Sequence, residues 1–152
     1  MWEPLQRYRA LDPEARRLFR RAALLLPWIR VSLRLRGFSP TFAALQQRAN
    51  SAPTTSDTAN DPVSKTNRMI HAAARYSLMR HTCLEESLCL WYLLRKQGVT
   101  SQLRIGVRKE NGKFEAHAWV ECNGQAVNQP EASHLHYAAF EKEFSGPPAE
   151  PS

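Results

Sequence analysis

Acidic residues are scarce in the first third of this sequence. Residues 1–50 hold ten Arg against Glu3, Asp12 and Glu14 alone, whereas 51–152 hold eleven basic and eleven acidic side chains, so the net charge of +7 is concentrated there. Such a segment can serve nucleic acid, an anionic membrane or an acidic protein, or form the solvated face of amphipathic helices, and charge alone does not select among them. No nucleic-acid-binding module accompanies the arginines, so no nucleic-acid partner is expected. Long apolar runs are missing too. The longest, Ala22 to Leu33, is interrupted by Pro27 and Arg30 and falls short of the ~20 residues that span a bilayer, so it can rest on a membrane surface but not cross one. Cysteine is limited to Cys83, Cys89 and Cys122, an odd number without a convincing signal peptide, which argues for free thiols in a reducing compartment, the cytoplasm. The six glycines form no phosphate-binding loop, so ATP chemistry would belong to a partner. His134 and His136 lack a third ligand at suitable spacing. No cofactor and no metal site is expected.

What is present reads as helices followed by strands. Asp12-Pro13 suits an N-cap and first helical residue, with Leu18, Ala22, Leu25 and Leu26 following at helical spacing and Pro27 allowing a kink. Gly37-Phe38-Ser39-Pro40 breaks the pattern and starts a second helix through Gln47. Residues 50–62 are nearly all Ser, Thr, Ala, Asn, Asp and Pro, which bury too little apolar surface to offset the entropy of ordering. Helical periodicity resumes over 64–79. Thr82 with Glu85 makes a capping box, placing Cys83 first in a helix that is apolar on nearly every side from Leu88 to Leu94 and closes at Arg95, Lys96 and Gly98. Leu103, Ile105 and Val107 then alternate with polar or small residues, and Asn111-Gly112 and Asn123-Gly124 turn the chain through a three-stranded antiparallel meander. A short helix over 137–143 and a disordered tail over 145–152 complete the reading. The division expected is a basic helical segment 1–50, a linker or mobile loop 51–63, an α+β core 64–144 and the tail 145–152.

Two residues stand where nucleophilic chemistry would need them. A thiolate attacks carbonyls far better than a thiol, and a helix N-terminus favours the thiolate through its unsatisfied N–H groups and its dipole. Cys83 has that position, although Glu85 and Glu86 oppose the effect and make a nearby imidazolium more necessary. Alone, Cys83 reads equally as a small buried hydrophobe. Cys89, inside the apolar helix, and Cys122, at a strand end, have no such setting. His117 shares a strand face with Trp119 and Glu121, flanked by Ala116 and Ala118, which leave room for an approach. Alone, it reads as a hydrogen-bonded structural histidine. A two-residue turn at Asn123-Gly124 pairs Trp119 with Asn128, which puts Asn128 on the face of His117 and Gln129 on the other, so an Asn128 oxygen could orient the imidazole as in Cys-His-Asn triads.

Taken together, Thr82-Cys83-Leu84-Glu85-Glu86-Ser87-Leu88, Leu93-Leu94-Arg95-Lys96-Gln97-Gly98-Val99, Ile105-Gly106-Val107 and Ala116-His117-Ala118-Trp119-Val120-Glu121-Cys122-Asn123-Gly124 resemble the transglutaminase-like cysteine peptidases of lasso-peptide gene clusters. The resemblance covers about residues 64–130. It implies a papain-like or transglutaminase-like fold, Cys83 as nucleophile and His117 as general base. It also implies removal of the leader from a ribosomally made precursor peptide, a small separate leader-recognition protein, and an ATP-dependent lasso cyclase that joins the freed amine to a side-chain carboxylate. The family usually carries an aspartate in the returning strand. Here Asn128 and Gln129 occupy the region, and alignment by the family pattern could put Gln129 in its place. That departure keeps open a non-catalytic peptide-binding scaffold on the same fold, and the same Cys-His pair is compatible with acyl transfer. The arginine-rich helices read as a docking surface for the cyclase, the leader-recognition protein or a membrane face, or as a surface buried against the core.

Overall fold

The computed structural model describes residues 3–50, 62–128 and 138–139. Five helices, α1 (Glu3–Ala10), α2 (Pro13–Arg36), α3 (Phe38–Asn50), α4 (Pro62–Tyr76) and α5 (Cys83–Lys96), precede strands β1 (Gln102–Glu110), β2 (Lys113–Cys122), β3 (Gln125–Ala126) and β4 (Ala138–Ala139). The arrangement is α+β with a helical N-terminal part.

Local chemistry explains the boundaries. Asp12 is extended (φ −65°, ψ 160°) before Pro13, whose fixed φ and missing N–H suit the first helical turn. Its carboxylate makes no cap bond; it accepts from Lys65 Nζ on α4 at 2.8 Å, and that bond holds the Asp12 carboxyl below its ordinary range. Ala15, Leu18, Ala22, Leu26 and Ile29 recur every three or four residues and form the buried stripe of α2. Gly37, at φ 82°, takes a left-handed conformation that ends the helix and returns its N–H to the Leu33 carbonyl at 3.1 Å. Buried Ser32 and Thr41 hydroxyls meet at 2.8 Å and tie α2 to α3, which runs to Asn50 and so past the expected end at Gln47.

α5 lies at the centre. Leu88, Leu90, Trp91, Leu93 and Leu94 are essentially inaccessible and join Ala22, Leu26, Ile29, Leu45, Ile70, Leu103 and Val120 in one cluster. Each buried Leu or Ile contributes about 1.5–3 kcal/mol. Residues 22–49 therefore share their core with α4, α5 and the sheet.

The sheet order is β3-β2-β1-β4, all antiparallel. Asn111 and Gly112 have φ 52° and 78°, and Asn123 and Gly124 have φ 53° and 77°, the paired positive values of hairpin turns that match strand twist. In β1–β2, Leu103 faces Val120, Ile105 faces Ala118 and Gly106 faces His117. The helix expected over 137–143 is corrected at Ala138–Ala139, which extend and pair with Val107 and Gly106, because β1 offers an edge there that local periodicity cannot reveal. The rest of that stretch, most of the expected linker, the tail, His134 and His136 lie outside the described residues. α1 falls within the helical segment expected over 1–50, though its own bounds were not expected; it buries no residue and touches the body through a Tyr8–Phe19 edge contact at 5.6 Å. Among the described residues no helix is long and apolar enough to cross a membrane.

Candidate active site

The start of α5 is fixed by its own side chains. Glu85 N–H donates to Thr82 Oγ1 at 3.3 Å, and Thr82 N–H donates to Glu85 Oε2 at 3.1 Å, a complete capping box. Glu86 N–H goes to the Thr82 carbonyl. Among the described residues, the first-turn N–H groups left over are those of Cys83 and Leu84, beside a half-buried thiol, and such donors can stabilise an oxyanion.

The two carboxylates that follow Cys83 are both occupied. Glu85, buried, has its Oε2 at 2.9 Å from Nδ1 of His81 and 3.8 Å from Arg30 Nη1. Arg30 also donates to the Arg80 carbonyl. The His81 side chain is 0 % exposed, and its other ring nitrogen meets Ser77 Oγ at 3.1 Å. Glu86 Oε2 lies 3.2 Å from His71 Nδ1 on α4, a bond that raises the pKa of the imidazole above its ordinary 6.5. The repulsion expected between these carboxylates and a thiolate is thus partly answered by neighbouring donors. A cleft of about 450 Å³ lined by His71, Arg75, Arg80, His81 and Glu86 opens at this helix start.

On β2 the predicted face is observed. His117 and Trp119 rings stack at 6.2 Å, and Trp119 Nε1 donates to Glu121 Oε1 at 3.0 Å. The residue opposite His117 on β1 is Gly106, which presents no side chain to the imidazole. Leu103 and Val120, on the other face, are the ones packed against α5. By strand alternation His117 therefore lies on the face of β2 away from the apolar body of α5.

Helix and strand are joined along the edge of β2 beyond the end of β3. Val127 N–H donates to the Val120 carbonyl at 2.9 Å, continuing the register counted from Asn123-Gly124, but at Asn128 a side chain replaces the ladder: Val120 N–H donates to Asn128 Oδ1 at 2.8 Å. Asn128 Nδ2 donates to Ser87 Oγ at 2.9 Å, and Ser87 Oγ donates to the Ala118 carbonyl at 3.1 Å. Ser87 is one turn after Cys83, and Ala118 follows His117 directly. The bridge thus ties the second turn of α5, one ~5.4 Å turn beyond Cys83, to the part of β2 that directly follows His117. Asn128 thus bonds to both the β2 backbone and α5, at the junction of the two elements. Gln129 lies outside the described residues.

The other thiols differ in setting. Burial pushes the Cys89 thiol far up, out of reach of ionisation at neutral pH, and Cys122 sits half-buried at the strand end. Among the described residues no three His, Cys, Asp or Glu side chains gather as a metal site. Sequence reasoning missed His81, His71, Arg30 and Ser87. Ser77-His81-Glu85 at i, i+4 spacing and Ser87 four residues after Cys83 were the available signals.

The sequence matches the Transglutaminase-like superfamily over residues 24–142, most of the chain and including part of α2. No curated protein and no solved structure gives a significant match.

Proposed function

The chain belongs to the transglutaminase-like superfamily, whose members include cysteine peptidases and acyl transferases, and from that premise we propose that it is the leader peptidase of a lasso-peptide pathway. The observation that carries the reading is a cysteine at the first position of a capped, central helix, joined one turn later by Ser87 to the carbonyl following His117.

In this reading His117 accepts the Cys83 proton and the thiolate attacks the carbonyl carbon at the leader–core junction of the precursor peptide. The Cys83 and Leu84 N–H groups stabilise the oxyanion, and the tetrahedral intermediate collapses as His117 returns the proton to the leaving amine. The leader is left as a thioester on Cys83. Water, deprotonated by His117, releases it with a free carboxylate. Asn128 serves as third member, with Gln129 as the alternative that the family pattern suggests. The expected bond from its oxygen to the imidazole is not the one observed: Asn128 Oδ1 accepts from Val120 N–H and Nδ2 donates to Ser87 Oγ, so its part in this reading is to position the His117 strand against α5. The released amine is the substrate of an ATP-dependent lasso cyclase, and a separate leader-recognition protein delivers the precursor in the cytoplasm. The arginine-rich helices offer these partners, or a membrane face, a docking surface.

Cys83→Ala and His117→Ala are expected to abolish leader removal, followed by mass spectrometry of a precursor peptide with the leader-recognition protein present, while circular dichroism and Tm stay near wild type. Cleavage surviving in either variant overturns the reading. A product bearing an added amine instead of a carboxylate would assign acyl transfer. The absence of any reaction, with peptide still bound, would assign a scaffold.

A further inference from the structure

Between α1, α2 and α4 lies a cleft of about 710 Å³, within the ~300–1,000 Å³ common for ligand sites. Its walls are apolar, formed by Leu5, Tyr8, Leu11, Phe19, Met69 and Tyr76, and Arg7, Arg20, Arg68 and Arg75 also line it. No Asp or Glu is among the described residues lining it. Elsewhere basic side chains have acidic partners, Lys65 with Asp12 and Glu14, and Arg30 with Glu85, whereas among the described residues none of these four arginines forms an ion pair. Four guanidinium groups around an apolar floor complement a ligand carrying carboxylates and apolar groups together.

The position of the cleft specifies the ligand further. His71 and Arg75 line both this cleft and the smaller one containing Arg80, His81 and Glu86 at the start of α5. The two clefts therefore adjoin along α4, and the smaller is lined by His81 and Glu86, which stand on either side of Cys83 in sequence. From Arg68 to Arg75 α4 rises ~10 Å, which an extended peptide covers in about three residues at ~3.3 Å each.

We propose that this groove is a recognition subsite for a stretch of the peptide substrate in which acidic and apolar side chains are mixed, several residues from the bond that Cys83 attacks. The proposal rests on the reading of Cys83 as nucleophile for its orientation, but its test does not need turnover. The full-length Cys83→Ala chain is titrated into a fluorescein-labelled peptide of leucines interspersed with glutamates, and separately into the same peptide with lysines replacing glutamates, and anisotropy is read. Binding of the glutamate peptide is expected, weakened about tenfold or more by Arg68→Glu with Arg75→Glu, weakened by added salt, and absent for the lysine peptide. Arg68→Gln with Arg75→Gln, on the same exposed positions, should weaken it in the same direction without reversing charge, and an unchanged Tm shows that both variants fold. Equal binding of the two peptides, or no effect of either double variant, overturns the proposal. So does a wild-type chain that ignores the peptide but binds oleate or anionic phospholipid vesicles through the same arginines, which would make the groove a lipid site. Binding intact with no cleavage of precursor by the wild-type chain refutes the peptidase and leaves the subsite standing. Cleavage with no peptide binding refutes the subsite alone.

Discussion

Ser87 donates to the carbonyl after His117 and accepts from Asn128, so two short polar side chains determine how the helix of the candidate nucleophile meets the strand of the candidate base. Ser87 is fully buried, and its replacement by Ala strands the Ala118 carbonyl and one Asn128 N–H, each unsatisfied group costing roughly 1–3 kcal/mol. Asn128→Ala likewise strands the Val120 N–H. Urea unfolding should show each single variant destabilised by that order, and the double variant by less than their sum, because the two share a bond. Strict additivity would mean that the bond does not form in solution. A second expectation concerns the thiols. Brief iodoacetamide treatment of the native chain at neutral pH, read by peptide mass spectrometry, should modify Cys83 and spare Cys89, whose thiol is buried and pushed up in pKa, until denaturant is added. The sequence distinguished these two cysteines because a capping box and an all-apolar helix are local signals. It placed Asn128 opposite Trp119 by register, but could not show that the amide leaves the strand pattern to bond Val120 N–H and Ser87.

Among the elements, α5 is held at its start by contacts from two other helices, Arg30 of α2 on Glu85 and His71 of α4 on Glu86. The second contact is pH-dependent in a defined sense. The pKa of His71 is raised in the folded chain, chiefly by its bond to Glu86, so the stability it adds is fully present below the ordinary 6.5 and is lost as pH rises through the raised value. Tm measured against pH for wild type and His71→Gln should differ most on the acid side of 6.5 and converge on the alkaline side; a gap that widens with rising pH would contradict the assignment. Elements with local punctuation were readable: Asp12-Pro13, the Thr82–Glu85 box, and both Asn-Gly turns. β4 was not, since its pairing with Gly106 and Val107 is set by a distant edge rather than by its own residues. α1 was readable only as part of the helical segment 1–50, not by its own bounds, because a helix with no buried residue leaves only a weak apolar pattern.

Taken whole, the arginine-rich third is both wall and surface. The inner stripe of α2 enters the core with α5, while Leu24, Val31 and Leu35 stand exposed, as do Arg17 and Arg34. Charge composition registers the outer face and cannot report the inner one, which is why 1–50 read from sequence as either a docking surface or a buried one. The distinction has a direct thermodynamic consequence. Removing residues 1–50 takes away Ala22, Leu26, Ile29 and Leu45 from the single main cluster, and each large side chain lost from such a position costs about 2–5 kcal/mol against a total stability of about 5–15 kcal/mol. A chain starting at residue 51 should therefore show no cooperative thermal transition. A chain lacking only residues 1–10 loses α1, which contributes no buried residue, and should melt cooperatively within a few degrees of wild type. Calorimetry on the two truncations separates the alternatives: a cooperative transition in the longer deletion would mean that α4, α5 and the sheet form a self-sufficient core, and a collapse of the shorter one would mean that α1 supports the fold it lies against.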